Sequence, residues 1–211
     1  YSKELVLSFM YGNQLQRENF VSVLRSFYDE TGIRVKLLAL TDKEYKQQFP
    51  FWLTSTASPD VIYWQGGERL LAYARQGALL PLDDVWQDQR WKESFGQAMQ
   101  DAVSLKGKPY ALPFSYYHWG IFYSQSVLAQ AGVAPPDNWQ ALLNSCPRLR
   151  AQGVTPIVLG GKDKWPVLAW FDYINLRLNG LAFHQALTRG QISYQDPRVK
   201  AVLQHWQQLI K

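Results

Sequence analysis

At 211 residues the chain has room for one large domain or two small lobes, and its 47% hydrophobic fraction is that of an ordinary globular protein. The net charge of +5 comes from Lys and Arg residues scattered singly, without the clustered run that a nucleic-acid partner calls for, and no apolar run is long enough to span a bilayer. A single cysteine, Cys146, excludes an intramolecular disulfide and suits a cytosolic enzyme or a periplasmic protein equally.

In chain order, Leu5 to Met10 reads as a first strand, closed by the turn residues Tyr11-Gly12-Asn13-Gln14. Phe20, Val23, Leu24, Phe27 and Tyr28 recur at helical spacing, and Gly32 is placed to stop that helix. Ile33 to Leu40 reads as a second strand. Thr41 or Asp42 can cap the next helix, in which Pro50 predicts a kink or break. Ser58-Pro59-Asp60 is a turn, Val61 to Trp64 a third strand, and Glu68 to Gln76 a third helix ending at Gly77. Such alternation argues for an open α/β sheet, in which ligands bind beyond the carboxyl ends of the strands. Two loops are thereby nominated, Tyr11 to Gln14 and Trp64 to Arg69. Capping of the core is the competing role for Tyr11 and Trp64, and a solvated first helical turn that for Glu68 and Arg69. Gly66-Gly67 lacks both the dinucleotide fingerprint and the Walker ending.

Leu79 to Trp86 reads as a connector and Trp91 to Gln100 as a helix. Val103 to Leu105, the turn Lys106-Gly107-Lys108, and Pro109 to Pro113 form a hairpin feeding a longer extended segment through Gly120 to Tyr123. Within it Phe114, Tyr116, Tyr117, His118 and Trp119 put five aromatic rings into six residues. Flat amphipathic rings suit the C–H face of a sugar, and they equally suit the core of a buried strand. Beyond Tyr123 the pattern restarts. Ser126 to Ala131 is a short helix stopped at Gly132. Asn138 caps a helix from Trp139 to Gln152 that Pro147 is expected to interrupt, and Thr155 to Gly160 reads as a strand. A loop from Gly161 opens a long helix at Trp165 and Pro166, and Asp196-Pro197 starts the last one. A segment crossing between two α/β units favours a binding role for its rings.

The motifs Ser58-Pro-Asp-Val-Ile-Tyr-Trp64, Gly77-Ala-Leu-Leu-Pro-Leu82, Gly107-Lys-Pro-Tyr-Ala-Leu-Pro113, Gly120-Ile-Phe-Tyr123, Gly160-Gly-Lys-Asp-Lys-Trp-Pro166 and Trp170 to Gly180 occur in an order that resembles the extracellular solute-binding proteins of sugar ABC transporters, the class that includes maltose-binding protein. The resemblance implies a two-lobe, type II periplasmic-binding-protein-like fold with three-layer α/β/α lobes. Residues 1–112 would belong to the first lobe and 113–211 to the first part of the second. It implies a di- or oligosaccharide captured in a cleft between lobes and delivered to a membrane permease, without catalysis, cofactor or metal, in the periplasm or lipid-anchored outside a Gram-positive cell. By position, Tyr11, Asn13, Gln14, Trp64, Gln65 and Arg69 would line the first lobe, Tyr116, Tyr117 and Trp119 the crossing, and Lys164 and Trp165 the second lobe.

Two departures from the family pattern stand out. Tyr123 is followed by Ser124 where the family commonly has Asn. The chain also stops at Lys211, within what resembles the first half of the second lobe, so the C-terminal half is expected to be missing. Uncovered sheet edges and apolar faces would then favour a dimer, a swapped assembly or an incomplete cleft. A sensory domain of a receptor is the alternative role. A glycoside hydrolase would need two facing acids, and Glu68, Asp163 and Asp172 show no pairing. His118, His184 and His205 share no metal-ligand spacing, and no Gly-x-Ser-x-Gly elbow is present.

Overall fold

The computed structural model describes residues 4–162 and 164–210. The chain divides into two compact units, Tyr1–Ser115 and Tyr116–Lys211.

The first unit opens with β1 (Glu4–Tyr11), α1 (Gln14–Thr31) and β2 (Arg34–Thr41). α1 begins where the Asn13 side chain accepts a hydrogen bond from the Gln16 amide at 2.9 Å. It ends at Gly32, whose φ of 69° admits a residue without Cβ and lets its amide reach the Tyr28 carbonyl. α2 (Asp42–Trp52) follows at once. The Glu44 carboxylate takes hydrogen bonds from the Thr41 hydroxyl at 2.6 Å and the Thr41 amide at 3.0 Å, and the hydroxyl bond holds its pKa below the usual range. Pro50 does not break this helix, which runs two residues further. So close to the C-terminus a missing donor orphans a single carbonyl, while Tyr45 and Phe49 keep the helix pinned by full burial.

β3 is only Val61–Ile62, shorter than the run to Trp64 suggested. Tyr63 and Trp64 leave the ladder because their groups are used elsewhere. The Tyr63 carbonyl accepts from the Tyr45 hydroxyl, and the Trp64 ring stacks on Phe49 with centroids 3.7 Å apart and planes 12° apart. The sheet order is β2-β1-β3, all parallel, with Leu7 opposite Leu37 on one side and Val61 on the other. The crossovers therefore run to opposite sides of β1, and the switch point lies between β1 and β3. α3 (Glu68–Arg75) and α4 (Asp83–Trp86) come next, the latter occupying the end of the expected connector.

The helix expected from Trp91 to Gln100 is two helices, α5 (Gln89–Ser94) and α6 (Gln97–Ala102), separated by Phe95 in extended conformation and Gly96. The Gln100 side chain satisfies the carbonyls freed at this break, reaching Phe95 at 2.7 Å and Lys92 at 3.1 Å. Leu70, Trp86 and Val103 form a buried cluster beside it. The hairpin is present as β4 (Ser104–Leu105) and β5 (Lys108–Pro109), turning through Lys106 and Gly107 at φ 50° and 79°. Two positive φ values in a two-residue loop match the twist of the strands they join. The longer extended segment is present only as unpaired chain, with no ladder partner among the described residues.

The second unit is helical among its described residues: α7 (Gln125–Gln130), α8 (Trp139–Ala151), α9 (Trp165–Thr188) and α10 (Pro197–Ile210). Pro147 again fails to interrupt its helix, because Leu142, Cys146 and Leu149 bury the same face on both sides of it. The free thiol of Cys146 is buried and donates to the Leu142 carbonyl at 3.3 Å. Thr155 to Gly160 does not form the expected strand, for β-branched residues make a strand only with a ladder partner, and none of the described residues supplies one.

α9 is broken at Gly180, which sits at φ 79°, ψ 170°. The fully buried Asn175 ties the two arms, its amide 3.2 Å from a ring nitrogen of His184 and its oxygen accepting from Asn179 at 2.8 Å. A Cβ at position 180 would meet no neighbour, so the requirement for glycine is purely conformational. Gly180→Ala is expected to lower stability by about 1–3 kcal/mol in chemical denaturation through backbone strain alone. An unchanged midpoint would show that the break is not fixed by the backbone. Phe183, Leu187 and Val199 hold the distal arm against α10. At the start of α10, the hydrogen bond from Arg198 holds the Asp196 carboxyl down to about 2.

Candidate functional site

The nominated residues of the first unit gather at the carboxyl ends of β1 and β3, beside the switch point of the sheet. Their polar groups are already engaged. Asn13 caps α1, Gln14 donates to Glu18 at 3.0 Å, and the Gly12 amide is held by Gln16 at 2.8 Å. In the second loop the Trp64 indole N–H donates to the Arg69 carbonyl at 3.3 Å, and the Arg69 guanidinium donates to Gln65 at 2.5 Å. The loop from 64 to 69 is thus tied onto the first turn of α3. Phe49 occupies one face of the Trp64 ring, and Tyr73 meets it edge-on at 6.2 Å. Tyr11 is half-buried at the end of β1.

Two residues that the sequence reading did not nominate set this arrangement. The fully buried Tyr45 bridges the Ser8 hydroxyl at 2.6 Å and the Tyr63 carbonyl at 2.5 Å, linking α2 to β1 and to the residue before Trp64. Burial pushes its phenol up to about 12. Phe49 supports the ring of Trp64 directly. The usable signal lay in the spacing Tyr45–Phe49–Trp52, which puts three rings on one face of α2.

In the second unit the nominated rings are open to solvent. Tyr116 is 70% exposed, Tyr117 73%, Trp119 47% and Trp165 46%. Trp119 and Trp165 meet edge to face, with centroids 6.0 Å apart and planes at 79°. Tyr117 is tilted on Trp119 at 6.4 Å, and Tyr116 lies edge-on to His118 at 5.5 Å. These rings leave apolar surface open to solvent. Lys164 takes φ 64° at the N-terminus of α9 and is exposed beside Trp165. Phe114, the first ring of the aromatic stretch, belongs instead to the first unit, where it meets Phe9, Phe20 and Tyr63 edge-on. Of the nominated acids, Glu68 pairs with Arg75, Asp172 is exposed on α9, and Asp163 lies outside the described residues. Among the described residues no group of three metal-ligating side chains converges. A groove of about 250 Å³ lined by Arg17, Glu18, Val21, Ser22 and Arg25 contains none of the nominated residues.

The sequence profile described as bacterial extracellular solute-binding protein matches residues 15–204. An uncharacterised ABC transporter extracellular-binding protein of Pyrococcus horikoshii is 26% identical over 151 residues, covering 70% of this chain and 34% of that one. A probable sugar-binding periplasmic protein of Rhizobium meliloti is 28% identical over 136 residues, covering 64% and 32%. Among solved structures, the bacterial solute receptor AcbH, described as having an exclusive substrate preference for β-D-galactopyranose, superposes with a TM-score of 0.82 at 28% identity, covering 99% of this chain and 53% of that one. The type II solute-binding fold expected from the sequence is therefore present. The chain spans about a third of the length of these two curated relatives and about half of the receptor.

Proposed function

Because this chain belongs to the bacterial extracellular solute-binding proteins, we propose that it serves as the substrate-capturing component of an ABC transporter and takes a neutral sugar, a di- or oligosaccharide. The observation that carries this reading is the exposed ring set of the second unit. Trp119 and Trp165 stand nearly perpendicular, so one ring can lie under a pyranose while the other limits its edge. Tyr116 and Tyr117 extend the apolar surface and carry hydroxyls for sugar oxygens, and Lys164 adds a donor. Tyr11, Asn13, Gln14, Trp64, Gln65 and Arg69 are the second proposed set of contacts, with residues 1–112 and 113–211 taken as the two lobes. AcbH favours a sugar over other solutes as the ligand class. The location is proposed as periplasmic, or anchored outside the membrane. No helix among the described residues is long and apolar enough to cross one. The proposed role is binding without catalysis; of the acids nominated for catalysis, Glu68 is held by Arg75 and Asp172 is exposed on α9.

Tryptophan fluorescence titrated with mono-, di- and oligosaccharides tests the reading, with saturable quenching expected for at least one sugar. Trp165→Ala is expected to weaken that sugar about 10- to 30-fold, corresponding to the loss of one stacked ring. Its stability should change by less than about 0.5 kcal/mol, because the ring is half exposed. A lowered unfolding midpoint with intact affinity would make Trp165 a packing residue.

A further inference from the structure

Among the described residues only Lys106 and Lys164 combine a side chain with a positive φ. Lys106 needs it to turn the hairpin between β4 and β5. Lys164, at φ 64° and ψ −42°, turns no hairpin and stands at the start of α9, the longest of the described helices. Asn13 and Asn138 start α1 and α8 in extended conformation, each with its side chain capping the first turn. Lys164 does neither, so the start of α9 forgoes the cap and accepts backbone strain. Departures of this kind from local rules gather where a functional group must be held.

The group held here is Trp165. The Lys164 amide donates to the Gly161 carbonyl at 3.0 Å, and the Lys164 carbonyl accepts from the Val167 amide at 3.1 Å, so the strained residue is tied on both sides. The two ties lie close together, for a Cβ at Gly161 would meet the Val167 side chain at 3.5 Å. Pro166 has its own φ fixed, and its ring excludes part of the backbone range open to the residue before it. Trp165 is therefore clamped by Lys164 on one side and Pro166 on the other. The direction of its Cα–Cβ bond follows from that clamp, and with it the edge-to-face contact with Trp119 at 6.0 Å.

We propose that Gly161, Lys164, Pro166 and Val167 form a rigid mount for the Trp165 ring, in which Lys164 and Pro166 are positioning residues that act through the backbone. A ring set in place before a ligand arrives spares the ordering cost that a loose side chain adds to binding. The effect on affinity rests on the sugar-binding reading; the mount itself does not.

Fluorine NMR of protein labelled with fluorotryptophan reads the mount without any ligand. The resonance that disappears in Trp165→Phe belongs to Trp165, and the facing ring should shift it, so that it moves in Trp119→Leu. Pro166→Ala and Lys164→Val are expected to move it in the same direction with the far-UV dichroism unchanged, because alanine lifts the restriction on Trp165 and a β-branched residue resists positive φ. Lys164→Gly takes the conformation without strain and should leave the resonance in place. Both Lys164 variants lack the ammonium, so the contrast between them belongs to the backbone. For the sugar that quenches the wild type, Pro166→Ala should weaken binding about 2- to 12-fold, the ordering cost of one side chain. A resonance that stays in place in Pro166→Ala and Lys164→Val overturns the proposal, as does one that moves while the affinity for a responding sugar is unchanged. If the wild type answers no sugar, the sugar reading falls and the resonance alone decides the mount.

Discussion

Phe49→Ala is expected to destabilise the first unit by about 3–5 kcal/mol, the range for emptying a buried aromatic site. Phe49 has no exposed surface, stacks on Trp64 at 3.7 Å, and meets Tyr45 and Tyr73. Against a typical domain stability of about 5–15 kcal/mol, such a loss brings the unit close to its unfolding threshold at room temperature. Urea unfolding followed by far-UV dichroism measures it. A loss below about 1 kcal/mol would mean that the aromatic cluster collapses into the space. The same variant removes the support of the Trp64 ring, so any ligand that uses this loop should weaken along with stability.

Tyr45→Phe should cost about 2–3 kcal/mol despite keeping the ring. It strips the buried Ser8 hydroxyl of its Tyr45 partner and leaves the Tyr63 carbonyl without its donor. The variant also separates the hydrogen bonds from the ionisation. With its phenol at about 12 in the folded protein, against about 10 for an unfolded tyrosine, the folded state holds the proton longer than the unfolded one. Stability from this group is complete below pH 10 and falls between pH 10 and 12, by at most about 2–3 kcal/mol at 1.36 kcal/mol per pH unit. In Tyr45→Phe that part of the alkaline fall should vanish. Parallel curves for the two proteins would show that Tyr45 ionises freely.

Periodicity made the first unit readable. Leu5 to Met10 is a short apolar run and Ile33 to Leu40 alternates over its first residues, and Asn13, Thr41 and Gly32 carry the local chemistry that starts and stops helices. The misreadings share one physical cause, which is that a local preference was given more weight than burial or pairing. Pro50 and Pro147 each forfeit a single donor; the buried Tyr45 and Phe49 pin the helix ahead of Pro50, and buried residues on both sides hold the helix through Pro147. The run at Thr155 has strand propensity without a neighbour to pair with. At the site, the exposed rings of the second unit stood out in the sequence through their density. Tyr45 and Phe49 did not, because support of a loop from beneath depends on a contact distant in sequence that spacing along one helix cannot reveal.

The lone thiol of Cys146 acquires a use from where it lies. It is 8% exposed on α8, in the second unit, and the first unit contains no cysteine. An alkylating reagent can reach it only when its surroundings open, so the rate of labelling clocks the opening of one unit while the other stays silent. The molecule thereby carries a built-in stopwatch for its own piecemeal unfolding.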